Sequence, residues 1–347
     1  MLTIDGSFGE GGGQIIRSSL ALSLVTGKPF RVERVRANRD KPGLKQQHLT
    51  AVKAAAEVSG AVVEGAAVGA REFAFSPGVV TPGDYVFRIG TAGSTTLVLQ
   101  TILPPLMIAP GPSTIRIEGG THNPHAPPFD FLEKTFLPLV NQIGPKVTIE
   151  LEHYGFYPPG GGALNVLIEP AAAFRQLDLL ERGATRPPRA RALVVNLPPG
   201  IAERELAVIK ERTGWGDEQL IVETSNNAIS PGNIVMIEIE SEHLTEVVSR
   251  IGERGVRAEI VAEKALDEAW KYLDATAPVG EHLADQLLIP LALGAGGSFV
   301  TGPLSLHTTT NIEIVKMFLG TEIAVTPTPA GMWRVDVGLS EKFSPLA

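Results

Sequence analysis

The sequence predicts an α/β (α+β) protein in which three repeated two-helix/four-stranded-sheet units form one large domain, with a small inserted α/β domain. Three observations predict it. Glycine-led apolar helices open at Gly13, Gly93 and Gly280, and each closes at a glycine turn followed by a short strand. Each unit continues through a polar loop and a second helix into a tail of alternating apolar residues. The third opening lies more than twice as far from the second as the second lies from the first, which leaves room for an insert.

The first unit reads as a helix from Gly13 to Val25, the turn Gly27-Lys28-Pro29, and a strand from Phe30 to Val35. The second reads as Gly93 to Ala109, Gly111-Pro112 and Thr114 to Glu118, and the third as Gly280 to Leu293, Gly296-Gly297 and Ser298 to Leu306. Second helices are expected at about Leu44 to Ser59, Pro128 to Ile143 and Thr310 to Leu319. Between the second and third units, the Pro/Arg-rich stretch Arg182 to Arg191 reads as a boundary. Strands at Ala192 to Leu197, Gln219 to Glu223 and Ile234 to Ile239 follow, with helices at Ile201 to Thr213, Leu244 to Arg254 and Ala265 to Asp274. The expected division is therefore a body of residues 1–184 and 276–347 and an insert of residues 185–275. The insert shows no reactive cluster, so packing or partner contact is its default role.

Composition narrows the chemistry. With 347 residues and 44% hydrophobic content, the chain can bury a large core. Cysteine is absent, which excludes disulfides, thiolate metal sites and a cysteine nucleophile and fits a reducing, cytoplasmic setting. Met1 to Gly13 does not resemble a secretory signal. The most apolar stretch, Leu97 to Ala109, is broken by Gln100 and Pro104-Pro105, whereas a membrane span needs about 20 apolar residues; no membrane contact is expected. The net charge of −8 argues against coating nucleic acid along its length. One basic locality exists: Arg31, Arg34, Arg36, Arg39, Lys41 and Lys45 face only Glu33 and Asp40.

Three polar loops connect the first strand of each unit to its second helix: Arg36 to Gly43, Thr121 to Pro127, and His307 to Asn311. In repeats related by approximate rotation, such loops can converge on one axis. His307 is the sharpest candidate there, because Thr310 and Glu313 have the spacing of a capping box and a helix N-terminus disfavours a charged imidazolium. The opening Gly9-Glu10-Gly11-Gly12-Gly13-Gln14 permits close backbone approach to a phosphate or ribose, and Glu10 offers an oxygen ligand to a hard cation. It matches neither dinucleotide nor P-loop spacing. Arg17, Arg36 and Arg39 supply paired donors for a terminal phosphate, and Gln47 and His48 supply an amide and an imidazole at the next helix. His122 and His125 lie in a proline-interrupted loop without a third zinc ligand, and Ser94-Thr95-Thr96 suits helix capping better than nucleophilic attack.

Together, Gly9 to Arg17, Lys41-Pro42-Gly43-Leu44 with Gln47 to Val52, Gly90 to Ser94, His153 to Pro158 with Gly160-Gly161-Gly162, Leu283 to Leu287, and His307 with Asn311 resemble the RNA 3'-terminal phosphate cyclase family over nearly the whole chain. The resemblance implies an ATP-dependent ligase acting on RNA 3'-phosphate ends, with Mg2+ or Mn2+. It implies that His307 carries AMP, which passes to the RNA 3'-phosphate before the 2'-hydroxyl displaces it to close a 2',3'-cyclic phosphate. It further assigns Glu10 to the metal, Arg17, Arg36, Arg39, Gln47 and His48 to phosphate or RNA, and Gln100, Asp285 and Gln286 to the nucleotide, with Pro127 packing on adenine. His282 stands where the family pattern has tyrosine, so stacking there would acquire a pH dependence. A homodimer is compatible with the resemblance. Two other classes compete: a non-catalytic ribosome-assembly relative, which lacks the nucleophilic histidine, and an enolpyruvyl transferase, on architecture alone.

Overall fold

A computed structural model describes residues 1–338; residues 339–347 of the expected body lie outside the described residues. The first unit runs β1 (Leu2–Asp5), α1 (Gly13–Thr26), β2 (Phe30–Glu33), α2 (Gln46–Ser59), β3 (Val62–Glu64) and β4 (Phe73–Ser76). Its sheet has the order β1-β2-β4-β3, with only the β1–β2 pair parallel. Gly27 and Gly60 end the two helices in the left-handed region, at φ 67 and 64, where a Cβ is disfavoured.

The second unit repeats this plan: β5 (Asp84–Arg88), α3 (Thr95–Leu106), β6 (Ser113–Gly119), a second helix, β7 (Lys146–His153) and β8 (Gly162–Glu169), in the order β5-β6-β8-β7. The first helix starts after Gly93, because Ser94 is its N-cap and accepts from the Leu97 N–H. It stops at Leu106, after Pro104 and Pro105, rather than at Ala109. The expected second helix is divided into α4 (Phe129–Phe131), a π turn over Leu132–Phe136, and α5 (Leu137–Ile143).

The third unit is split. Its first strand, β9 (Leu177–Leu179), precedes the insert and pairs parallel with β14 (Gly297–Thr301), which follows it. Between them lie β10 (Arg189–Val195), α6 (Gly200–Thr213), β11 (Leu220–Ser225), β12 (Gly232–Glu240), β13 (Thr245–Ile251), α7 (Ala258–Asp274) and α8 (Glu281–Leu293). The unit ends with α9 (Leu306–Leu319), β15 (Ile323–Pro327) and β16 (Trp333–Val337), in the sheet order β15-β16-β14-β9. The expected strand to Leu306 stops at Thr301, where Gly302-Pro303 interrupts it.

Residues 189–251 build a fourth sheet of different topology, β11-β10-β12-β13. The helix expected over Leu244 to Arg254 is instead β13: Thr245-Glu246-Val247-Val248 pairs antiparallel with β12 and points alternate side chains to opposite faces. Val248, with Ala192, Val194, Val235 and Ile237, packs under α6 and α7 in a separate core. Val247, with Leu193, Val195, Ile234 and Met236, joins the main core. Both faces of this sheet are therefore buried. Arg182 ties down the two crossings into the insert by donating to the Tyr272, Ala275 and Ala277 carbonyls and lying 4.0 Å over the Tyr272 ring.

Helix α1 is buried on nearly every side, its serines included, which is the mark of a central helix. It packs against α2, α3 and α9, and this fixes where its glycine-rich start meets the polar loops. Among the described residues, no helix is long and apolar enough to cross a membrane.

Candidate active site

The glycine opening turns on positive φ at Gly9 and Gly11. A Cβ at Gly9 would stand 2.1 Å from the Thr310 hydroxyl, which accepts from the Glu10 N–H at 2.9 Å. Thr310 thus joins the opening to α9 instead of capping it. The expected capping box is replaced by Ser305, whose hydroxyl accepts from the Thr308 N–H, so α9 begins a turn earlier and His307 lies within its first turn. The Glu10 side chain is 6% exposed and pairs with Arg39 of the β2–α2 loop. Its Oε2 is buried without a hydrogen-bond partner.

Behind this carboxylate, Arg17 and His48 crowd the start of α1. A Cβ at Gly13 would lie 2.4 Å from His48 Nε2 and 2.8 Å from Arg17 Nη1. His48 Nδ1 accepts from the Lys45 N–H at 3.1 Å, so Nε2 carries the ring proton and points toward Gly13. Burial, aided by Arg17, Arg36 and Lys45, lowers His48 to about 3, and the ring is neutral at physiological pH.

Four helices meet next to Arg17 around a small cleft lined by residues that include Gln14, Arg17, Gln100, Asp285, Gln286 and Asn311. Asn311 accepts from the Ser18 hydroxyl at 2.6 Å and donates to the Asp285 carbonyl at 2.7 Å, tying α1, α8 and α9 together. Gln100 on α3 donates to Gln286 on α8. Burial lowers Arg17 to about 10 against the pull of Asp285, and it stays a cation at neutrality. Burial raises Asp285 to about 7 against the opposing charge of Arg17.

His307 lies at the exposed rim. The surrounding protein pushes its ring below the ordinary histidine value, and the charges of Arg17, Arg39 and His282 push it the same way. The neutral ring keeps a lone pair available for attack on an electrophile. Glu10, Arg17, Arg39, His48, His282 and His307 thus gather near the start of α1, and Gln100, Asp285 and Gln286 line the adjoining cleft.

Three other expected residues contribute at one remove. Arg36 is buried at φ 52 and donates from Nη1 to the Lys41 and Gly43 carbonyls at 2.8 and 2.9 Å, so that nitrogen holds the basic loop in shape. Gln47 accepts from the Ser94 N–H at 3.1 Å and so joins α2 to the start of α3. The Pro127 carbonyl accepts from Thr96 Oγ1 at 2.8 Å, which places its loop against α3. His122 is fully buried, away from the rim, and its Nε2 lies 3.0 Å from Asp130 Oδ2.

Residues 8–325 match the family described as RTC, RNA 3'-terminal phosphate cyclase. The chain belongs to the RNA 3'-terminal phosphate cyclase family. It is 52% identical to the RNA 3'-terminal phosphate cyclase of Koribacter versatilis over 92% of this chain and 90% of that protein. It is 48% identical to that of Ectopseudomonas mendocina over 97% of this chain and 98% of that protein, and 50% identical to that of Ralstonia nicotianae over 93% of each. The enolpyruvyl transferase NikO from Streptomyces tendae aligns over 96% of this chain and 47% of its own at 11% identity, with a TM-score of 0.37.

For a member of the cyclase family, the donor set fits a lightly held divalent ion. Among the described residues, no group of three or more His, Asp or Glu side chains could cage a metal. The unpartnered Glu10 oxygen offers a single hard ligand, in keeping with magnesium sites that draw most of their ligands from water and phosphate. In this cyclase-family chain, Ser18 and the carboxylates Glu246 and Glu268 near α8 stand in no motif of the sequence, and Thr310, which has the spacing of a capping residue, instead serves Glu10. The contact between Thr310 and Glu10 spans 300 positions, so no local pattern records it.

Proposed function

We propose that the chain converts an RNA 3'-terminal phosphate to a 2',3'-cyclic phosphate at the expense of ATP, through His307 as a covalent carrier of AMP. A neutral His307 ring nitrogen attacks the α-phosphorus of ATP, the N–P bond forms and pyrophosphate leaves. An oxygen of the RNA 3'-phosphate then attacks the same phosphorus and releases the imidazole. The neighbouring 2'-hydroxyl finally attacks the 3'-phosphate and expels AMP. Dividing one difficult displacement into three in-line transfers is what a covalent carrier accomplishes.

The observation that carries the proposal is His307 at the exposed first turn of α9, electrostatically coupled to Arg17 and Arg39 and depressed in basicity. Arg17, Arg39 and His48 would hold the RNA phosphate, with Arg36 and Gln47 shaping that wall. Gln100, Asp285, Gln286, His282 and Pro127 would receive the nucleotide. Glu10 would hold Mg2+ or Mn2+, which when bound offsets phosphate charge. In this scheme residues 1–184 and 276–347 form the catalytic body, and residues 185–275 the insert. The nucleophilic histidine favours an enzyme over a non-catalytic assembly relative.

The deciding experiment incubates the full chain with ATP and magnesium and follows intact mass and labelled peptides. One AMP on the His307 peptide, discharged by RNA ending in a 3'-phosphate with formation of a cyclic end, is expected; an unlabelled His307 overturns the proposal. Gly13→Ala is expected to raise the KM for the RNA end about tenfold, because displacing His48 and Arg17 by an ångström misaligns the phosphate. Parallel thermal melts check that the variant remains folded.

A further inference from the structure

The insert has no reactive cluster of its own, yet two of its carboxylates lie against α8. Glu246 on β13 is 5% exposed, and a Cβ built on Gly280, the N-cap of α8, would lie 2.7 Å from its Oε2. Glu268 on α7 approaches His282 Nε2 at 3.4 Å, with its side chain 22% exposed against 69% for the histidine. Arg250 on β13 pairs with the same carboxylate. The His282 carbonyl accepts from Gln286, and Gln286 accepts from Gln100. A polar line thus runs from the insert sheet through α7 and α8 to α3, and it ends in the cleft beside Arg17.

We propose that Glu268 is a positioning residue for nucleotide binding, which acts from the insert by fixing the orientation and the proton of the His282 imidazole. It rests on the cyclase reading only in taking the adjoining cleft as the nucleotide site. One edge of the ring is held and the rest is open, as a side chain that meets a planar or anionic ligand requires. The charged groups that act on His282 are Glu268 from α7, Glu246 from β13, Glu281 and Asp285 from its own helix and His307 from α9, while Arg250 from β13 and Lys271 from α7 act on Glu268. Acidic neighbours dominate: the Glu268 hydrogen bond raises His282 above the ordinary histidine value, burial opposes it, and Glu281 and Glu246 add to the rise. Because the value is raised, the cation persists to higher pH and is lost as pH rises through it. Attraction to a triphosphate is lost in the same window.

The test uses the full chain. The His282 resonance, assigned by its loss in His282→Gln, is titrated by NMR, and the KM for ATP in adduct formation is measured across the same pH range. Glu268→Gln is expected to lower the His282 midpoint, raise the KM at neutral pH about 3- to 10-fold with kcat unchanged within about twofold, and move the pH limb of KM downward. Glu268→Asp should restore most of the difference. Arg250→Gln, which frees Glu268 from its competing partner, should shift the midpoint upward and serves as the test if Glu268→Gln does not fold. A His282 midpoint indifferent to these changes, or a KM that rises without any movement of its pH limb, overturns the proposal. If the unmodified chain binds ATP by calorimetry but forms no AMP adduct, the carrier mechanism fails; the NMR midpoints, with calorimetric ATP affinity replacing KM, then still decide the role of Glu268.

Discussion

His307→Ala is expected to abolish the AMP adduct and to lower RNA cyclization by at least about 10³-fold, because removing a nucleophile removes the whole covalent route. The protein should melt within a degree or two of the unmodified chain, since the ring is exposed and Ser305, not His307, caps α9. His307→Asn gives the same result if the lone pair of the imidazole is what matters. The pH dependence follows from the direction of the shift. His307 is depressed, so the neutral ring predominates at neutrality and the acid limb of adduct formation falls below the ordinary histidine value of about 6.5. Arg17→Gln should weaken nucleotide and RNA binding while moving that limb upward, because a positive neighbour is lost. Retention of the adduct in His307→Ala would place the nucleophile elsewhere.

Asp130→Ala is expected to destabilize the fold by about 3 kcal/mol, because Asp130 is buried and is the shared partner of the fully buried His122 and the largely buried Arg191. Thr121 Oγ1 accepts from the Gly155 N–H at 2.9 Å and lies 2.8 Å from His122 Nδ1. In the neutral ring Nε2 donates to the Asp130 carboxylate, so Nδ1 is the acceptor and the Thr121 hydroxyl donates to it. The other Asp130 oxygen accepts from Arg191 of the insert, which also donates to Glu223 at 2.6 Å, and Tyr154 donates to Glu223 at 3.1 Å. Burial pushes Asp130 upward, but His122 and Arg191 prevail and hold it well below the usual carboxylate range. Its contribution is thus complete above the unfolded value near 4 and is lost as pH falls through the folded one. Chemical denaturation of both proteins across pH should show the difference shrinking in acid. A constant difference would mean that packing rather than charge is responsible.

The residues of the candidate site were legible as candidates because short motifs concentrate them: the glycines around Glu10, the pair Gln47-His48, and His307 between a strand and a helix. Boundaries fared worse where local signals competed. At Leu244 to Arg254 an apolar run beside charges suits a helix as well as a strand, and only pairing with β12 decides between them. At Thr310 the capping-box spacing was present, but Ser305 lies closer to the strand end and the Thr310 hydroxyl serves Glu10 instead.

What the sequence by itself determined was the repeated helix–strand plan and where its polar segments fall, although the third of them, His307 to Asn311, is helical rather than a loop. Those follow from periodicity and glycine placement, which act over a few residues. Only the tertiary structure decided that the insert divides the third unit after β9, that its sheet is buried on both faces, and that Glu268 and Arg191 reach into the body beside His282 and Asp130. Contacts of that kind depend on how separately formed surfaces dock. The cost of burying a charge selects its partner across space, and no spacing along the chain records the choice.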